Sequence, residues 1–135
     1  MLIGPLKLKA QIYCGGEIAM GPGKADLLEA IARDGSISGA GRALGMSYRR
    51  AWLLVDAMNR CWAQRLVETS PGGARNRGAR LTDFGAHILA LYRAIERDMD
   101  KALEGGPLAE LQTLLRTAPE PPHYSARPHA ESGKA

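Results

Sequence analysis

A mainly α-helical fold with a small β component is predicted by three features of the sequence. Apolar residues recur at helical spacing in four segments, alternating runs flank glycine-rich turns in two places, and Ser36, Ser47 and Thr82 each stand where they can cap a helix. The chain has 135 residues, of which 45% are hydrophobic. That is enough for one compact domain with an appendage and too little for two large domains. No apolar run approaches the ~20 residues that cross a bilayer. The opening Met1-Leu2-Ile3-Gly4-Pro5 has neither a basic region ahead of a long apolar run nor a lipidation signal. The expectation is a soluble, cytoplasmic protein with no membrane partner.

Leu6 to Tyr13 alternates apolar and polar residues, Gly15-Gly16 follows, and Glu17 to Met20 returns, which predicts a short hairpin or irregular strand pair. Gly21-Pro22-Gly23 reads as punctuation. Lys24 to Asp34 carries Leu27, Leu28 and Ile31 at helical spacing before Gly35 stops the helix. Ser36 caps a short second helix with Ile37, Ala40 and Leu44 on one face, and Gly45 supplies the exit. Ser47 then caps a third helix running to about Trp62. At about 100° per residue, Ala51, Val55, Met58 and Trp62 fall on one buried arc, with Leu54 and Cys61 at its edge. The opposite arc holds Arg49, Leu53, Asp56 and Arg60, flanked by Trp52 and Arg50.

Arg65 to Ser70 reads as a strand, Pro71 to Gly78 as a flexible loop and Ala79 to Leu81 as a returning strand. Thr82 caps a long helix to about Leu103, with Phe84, Ile88, Leu91, Ile95 and Met99 forming a stripe that Leu89, Tyr92 and Leu103 widen. The stripe exceeds what a small domain needs, which implies that part of it meets a second subunit. Phe84, Ile88, Leu91, Tyr92, Ile95 and Met99 are the candidate dimerisation residues. Gly105-Gly106-Pro107 ends this helix, and Leu108 to Leu115 adds a short amphipathic one. The expected organisation is residues 1–104 as the binding and dimerisation domain, 105–116 as a helical extension and 117–135 as a disordered, proline-rich tail.

Charge is unevenly placed. Between Arg42 and Arg80 eight arginines and no lysine face only Asp56 and Glu68, so this stretch nets +6 while the whole chain nets +4. Such a patch is an electrostatic footprint for a polyanion. The arginine fork can grip phosphate, or the acceptor edge of guanine, with two hydrogen bonds.

The order hairpin, helix, helix, tight turn, basic helix, basic β-loop, long helix is the layout of a winged helix-turn-helix with an N-terminal hairpin and a long C-terminal dimerisation helix. Gly35-Ser36-Ile37-Ser38, Leu44-Gly45-Met46-Ser47-Tyr48-Arg49-Arg50-Ala51-Trp52, Met58-Asn59-Arg60, Leu66-Val67-Glu68, Gly72-Gly73 and Gly78-Ala79-Arg80-Leu81-Thr82 stand in register with that layout. In these segments the chain resembles the N-terminal domain of the ModE-type molybdenum-dependent regulators, and more distantly the LysR-type winged helix. It implies a homodimer that binds double-stranded operator DNA and regulates transcription, with the helix from Ser47 as recognition helix and residues 71–80 as wing. A recognition helix needs short caps and long donors at its N-terminus, where it meets base edges and phosphates.

The candidate DNA-binding residues are Ser36, Ser47, Tyr48, Arg49, Arg50, Trp52, Arg75, Asn76, Arg77 and Arg80. Arg49 is aimed farthest from the core and is assigned to a base, Arg50 and Tyr48 to phosphates, and Trp52 to packing as readily as to DNA. The resemblance departs from the family in two places. Ala74-Arg75-Asn76-Arg77 replaces a glycine-rich run, and Gly41 stands where alanine is usual, at a close crossing of helices.

Catalytic residues are not expected, because His87, His123 and His129 accompany no carboxylate pair or nucleophile-base spacing. Cys14 and Cys61 are far apart in sequence with no metal-ligand spacing, so they read as ordinary thiols and no metal is expected. No cofactor is expected either: molybdate sensing in the ModE type belongs to further C-terminal domains, and Ser125-Ala126-Arg127 only echoes part of an oxyanion-binding segment. A separate effector-sensing protein could supply that role. The competing function is a protein-protein interaction module on the same scaffold, which would present an apolar patch where this chain presents arginines.

Overall fold

The computed structural model describes residues 1–70 and 78–123. The loop expected to carry Arg75, Asn76 and Arg77, and the tail from Tyr124 onward, lie outside the described residues.

Two hairpins open the chain where one was expected. β1 (Leu2–Ile3) pairs antiparallel with β2 (Leu6–Lys7) across Gly4, whose φ of +58° is a conformation that a Cβ would penalise. β3 (Ile12–Cys14) pairs with β4 (Glu17–Met20) around Gly15-Gly16, with a register shift between Ile12 and Tyr13. The alternation from Leu6 to Tyr13 therefore spans two separate ladders; a period of two marks extended backbone but does not name its partner.

α1 (Pro22–Asp34) begins ahead of Lys24, because Pro22 occupies the first helical turn, where its fixed φ suits the helix and its missing N–H leaves nothing unsatisfied. Pro22 is thus a start signal rather than punctuation. Gly35 closes α1 in the left-handed region at φ 76°. α2 (Ile37–Ala43) and α3 (Tyr48–Cys61) follow. β5 (Val67–Thr69) and β6 (Ala79–Leu81) pair antiparallel, and β6 also reaches the end of α1 through Ala79 N–H donating to Gly35 C=O at 2.8 Å. α4 (Asp83–Ala102) and α5 (Pro107–Leu114) complete the described elements.

α1 lies at the centre, packed against α2, α3, α4 and β6. The core is built from Met20, Leu27, Leu28, Ile31, Ile37, Val55, Met58, Leu66, Val67 and Tyr92. α4 passes the residue just ahead of β5 at Gly85, where an added Cβ would collide with the Leu66 backbone. Thr82 fixes that approach: its Oγ1 accepts from Gly85 N–H at 2.8 Å and donates to Arg65 C=O at 2.7 Å.

On α3, Ala51, Val55 and Met58 are buried, joined by Ala57. Trp62 is only half-buried: it is the C-cap, with φ −111° and ψ 165°, so the helical wheel no longer applies. Its Nε1 donates to Ala19 C=O at 3.1 Å.

Candidate nucleic-acid interface

Two serine caps set the interface. Ser36 Oγ accepts from Gly39 N–H at 2.9 Å and starts α2; Ser47 Oγ accepts from Arg50 N–H at 3.0 Å and starts α3. Between them Gly45 turns the chain at φ 72°, and Met46 N–H returns to Gly41 C=O at 2.9 Å. The helices cross at Gly41, where a Cβ would sit 3.3 Å from Ala51 Cβ and 3.4 Å from the Met46 carbonyl oxygen. Glycine there allows the two backbones to approach, at a helix-propensity cost of ~1 kcal/mol.

This crossing presents Tyr48, Arg49, Arg50 and Leu53 to solvent. Neither Arg49 nor Arg50 has an acidic partner among the described residues, so both guanidinium groups keep their donors for a ligand. Arg50 also acts inward: with burial as the larger cause, its charge holds the Lys24 ammonium below the ordinary lysine pKa. Trp52 is half-buried against the core and meets the Tyr48 ring edge-on, with centroids 6.3 Å apart. Both aromatic side chains, with Ser36, Ser38, Thr69 and Gly78, line a groove of about 320 Å³ between the helix-turn-helix and the base of the β5–β6 hairpin.

Other arginines are committed within the protein. Arg60, on the outward arc of α3, binds Glu17 at 3.0 Å and Asp56 at 2.9 Å. Those carboxylates raise its pKa further and cancel much of its field. Arg80 lies across the ladder from Glu68 and binds it at 2.7 Å. Among the described arginines of the basic stretch, Arg42, Arg49, Arg50 and Arg65 remain outside any ion pair, and two of these four stand in the first turn of α3.

The candidate dimerisation residues divide. Tyr92 lies inside its own protomer at 1% exposure, its hydroxyl donating to Ala10 C=O at 2.8 Å, and is therefore unavailable to a second subunit. Phe84 and Ile88 are half-buried against the same core. Met99 is half-buried as well, whereas Leu91 and Ile95 stand 50% and 41% exposed. One stripe thus carries both a covered flank and an open one.

Asn59 carries a positioning role that helical periodicity does not announce. Its Oδ1 accepts from Leu66 N–H at 2.8 Å and Val67 N–H at 3.1 Å, and its Nδ2 donates to Val67 C=O at 3.1 Å, which ties α3 to the hairpin. The available signal was an asparagine, a poor helix former, beside a buried arc. Among the described residues no cluster of His, Cys, Asp or Glu could hold a metal ion, and no helix is long and apolar enough to cross a membrane.

A glycine-turned helix pair with an outward arginine-bearing N-terminus, backed by a two-stranded hairpin, defines a winged helix-turn-helix. Residues 24–86 match the family model described as bacterial regulatory helix-turn-helix protein, lysR family; this segment is a LysR-type helix-turn-helix domain. The chain is 39% identical to molybdenum-pterin-binding protein MopA of Rhodobacter capsulatus, over 82% of its own length and 43% of that protein. It is 38% identical to molybdenum transport protein ModE of Azotobacter vinelandii (67% and 37% covered). It is 33% identical to the DNA-binding transcriptional dual regulator ModE of Escherichia coli strain K12 (73% and 36% covered). In each case the chain spans less than half of the relative. The fold also aligns with a chain of the crystal structure of a CbnR DBD–DNA complex at TM-score 0.50 and 21% identity, covering 67% of this chain and 94% of that one.

Proposed function

We propose that this chain is a sequence-specific, DNA-binding transcriptional regulator that grips operator DNA as a two-fold homodimer. The observation that carries the reading is the first turn of α3, where Ser47 caps a helix whose Arg49 and Arg50 face outward without acidic partners among the described residues. Free amides of that turn and the two guanidinium groups suit a duplex: Arg49 reaches a base edge while Tyr48 and Arg50 take phosphates. Ser36, Trp52 and Arg80 border this surface and serve as secondary contacts. Arg75, Asn76 and Arg77 add charge that follows the DNA backbone. The dimer forms through the open flank of α4, at Leu91 and Ile95. Chemistry on a substrate has no place in this scheme.

Support for DNA over a protein partner comes from the charge of the outward turn, since a protein-binding surface there would be apolar at its centre. The test is electrophoretic mobility shift with mixed genomic fragments. Discrete shifts for a subset of fragments are expected at a salt concentration where random duplex no longer binds. Equal affinity for every fragment, or none for any, would refute the proposal.

A further inference from the structure

We infer that Cys14 and Cys61 are a redox pair, which a hydroperoxide converts into an intramolecular disulfide joining the β3–β4 hairpin to the C-terminal end of α3. Though 47 positions apart, the two residues meet because the hairpin and the helix end are fastened on both sides of Cys61. Cys14 pairs across the hairpin with Glu17. The Glu17 carboxylate receives two hydrogen bonds, at 3.0 and 3.3 Å, from Arg60, the residue before Cys61. Trp62, the residue after it, donates to Ala19 on β4 at 3.1 Å. These two ties bring the Cys14 strand against the helix end that carries Cys61, near enough for each thiol to feel the other.

Their environments divide the chemistry. Cys14 is exposed and Cys61 half-buried, so Cys14 meets the oxidant. Burial, and then the neighbouring Cys14, keep the Cys61 thiol protonated to higher pH than an ordinary cysteine, which protects it from direct attack. In the first step the Cys14 sulfur attacks the peroxide, the O–O bond breaks, and Cys14 becomes a sulfenic acid while the departing oxygen leaves as water or alcohol. The Cys61 sulfur then attacks the Cys14 sulfur, the S–O bond breaks, and water leaves with the Cys61 proton. Two thiols and one hydroperoxide thus give one disulfide, one water and one alcohol or second water. A dithiol reductant reverses the step.

The experiment exposes the full chain to hydrogen peroxide and follows it by intact mass and peptide mapping. The expected result is a loss of two hydrogens, a cross-linked peptide containing Cys14 and Cys61, protection of both from alkylation, and recovery with dithiothreitol. Dimedone, which traps sulfenic acids, should label Cys14 in the Cys61→Ser chain and not in the unaltered one. Both sulfurs remaining alkylatable after peroxide, a disulfide between two chains, or equal dimedone labelling of both proteins would overturn the proposal. Should Cys61→Ser fail to fold, the peptide map of the unaltered chain decides alone.

Discussion

Asn59 on α3 clasps the backbone of Val67 on β5 with both ends of its side-chain amide, accepting from its N–H and donating to its C=O at 3.1 Å each. With Leu66 N–H as a third partner at 2.8 Å, the amide sets where the hairpin starts relative to α3. Asn59→Ala leaves three partly buried backbone groups without partners, and an unsatisfied group costs about 1 to 3 kcal/mol. The expected loss is about 2 to 4 kcal/mol by urea denaturation. Asn59→Asp keeps both acceptor contacts but turns an oxygen toward Val67 C=O, so it should fall between alanine and the native residue. A loss below about 0.5 kcal/mol for Asn59→Ala would show that the clasp is not structural.

Local signals made most of the helical frame legible in the sequence. Ser36, Ser47 and Thr82 each bond the N–H three residues on, as a capping residue must, and Gly35 and Gly45 close their segments with positive φ. Pairing was less legible. Nothing in alternation separates Leu6–Lys7, which returns to β1, from Ile12–Cys14, which pairs with β4. Periodicity also marks a long apolar stripe on α4 without indicating which flank the protomer itself covers, so it groups Tyr92, which the protomer buries, with the exposed Leu91 and Ile95. At the candidate interface the outward aim of Arg49 and Arg50 followed from helix geometry. The neutralisation of Arg60 and Arg80 did not, because Glu17 and Glu68 reach them only through the tertiary fold.

Tyr92 gives a pH-dependent test. Burial raises its hydroxyl pKa above the ordinary 10.0, with Glu96 adding to the effect. A raised folded-state value means that the hydroxyl's contribution is fully present below pH 10.0 and is lost as pH climbs through the folded value. Tyr92→Phe removes the bond to Ala10 C=O and should cost about 1 kcal/mol at neutral pH. Urea denaturation of both proteins from about pH 7 to about pH 11 should show that gap closing only above the ordinary tyrosine value. A constant gap would contradict the assignment.

Arg49→Ala should weaken operator binding by about 1 to 3 kcal/mol and relax base preference at one position of each half-site. Arg50→Ala should weaken operator and random duplex alike, as loss of a phosphate contact does. Titrations against the operator and single-base variants separate the two. Unchanged selectivity in Arg49→Ala would move the base contact to another side chain.

Each phosphate neutralised on B-DNA contributes about 0.9 to the slope of log affinity against log salt. If Arg75 and Arg77 contact the backbone, their joint replacement by alanine should flatten that slope by up to about two per DNA-bound wing. Selectivity among operator variants should change little. Identical slopes would remove the wing arginines from the interface.

Leu91 and Ile95 lie one helical turn apart on α4, 50% and 41% exposed, on a helix that runs to Ala102. In an isologous interface each residue is used twice, so two positions supply four apolar side chains. Fully burying one such side chain stabilises by about 1.5 to 3 kcal/mol, and roughly half of each is still available here. Replacing both with glutamate removes that term and sets like charges against one another across the two-fold axis. Dimer affinity should drop by about 3 kcal/mol or more, at least a hundred-fold, as read by sedimentation velocity across a concentration series. Neither side chain is buried in the protomer core, so far-UV circular dichroism should be unchanged. Operator affinity should fall with dimerisation, because a lone protomer contacts one half-site. A doubly substituted protein that still sediments as a dimer would place the interface elsewhere.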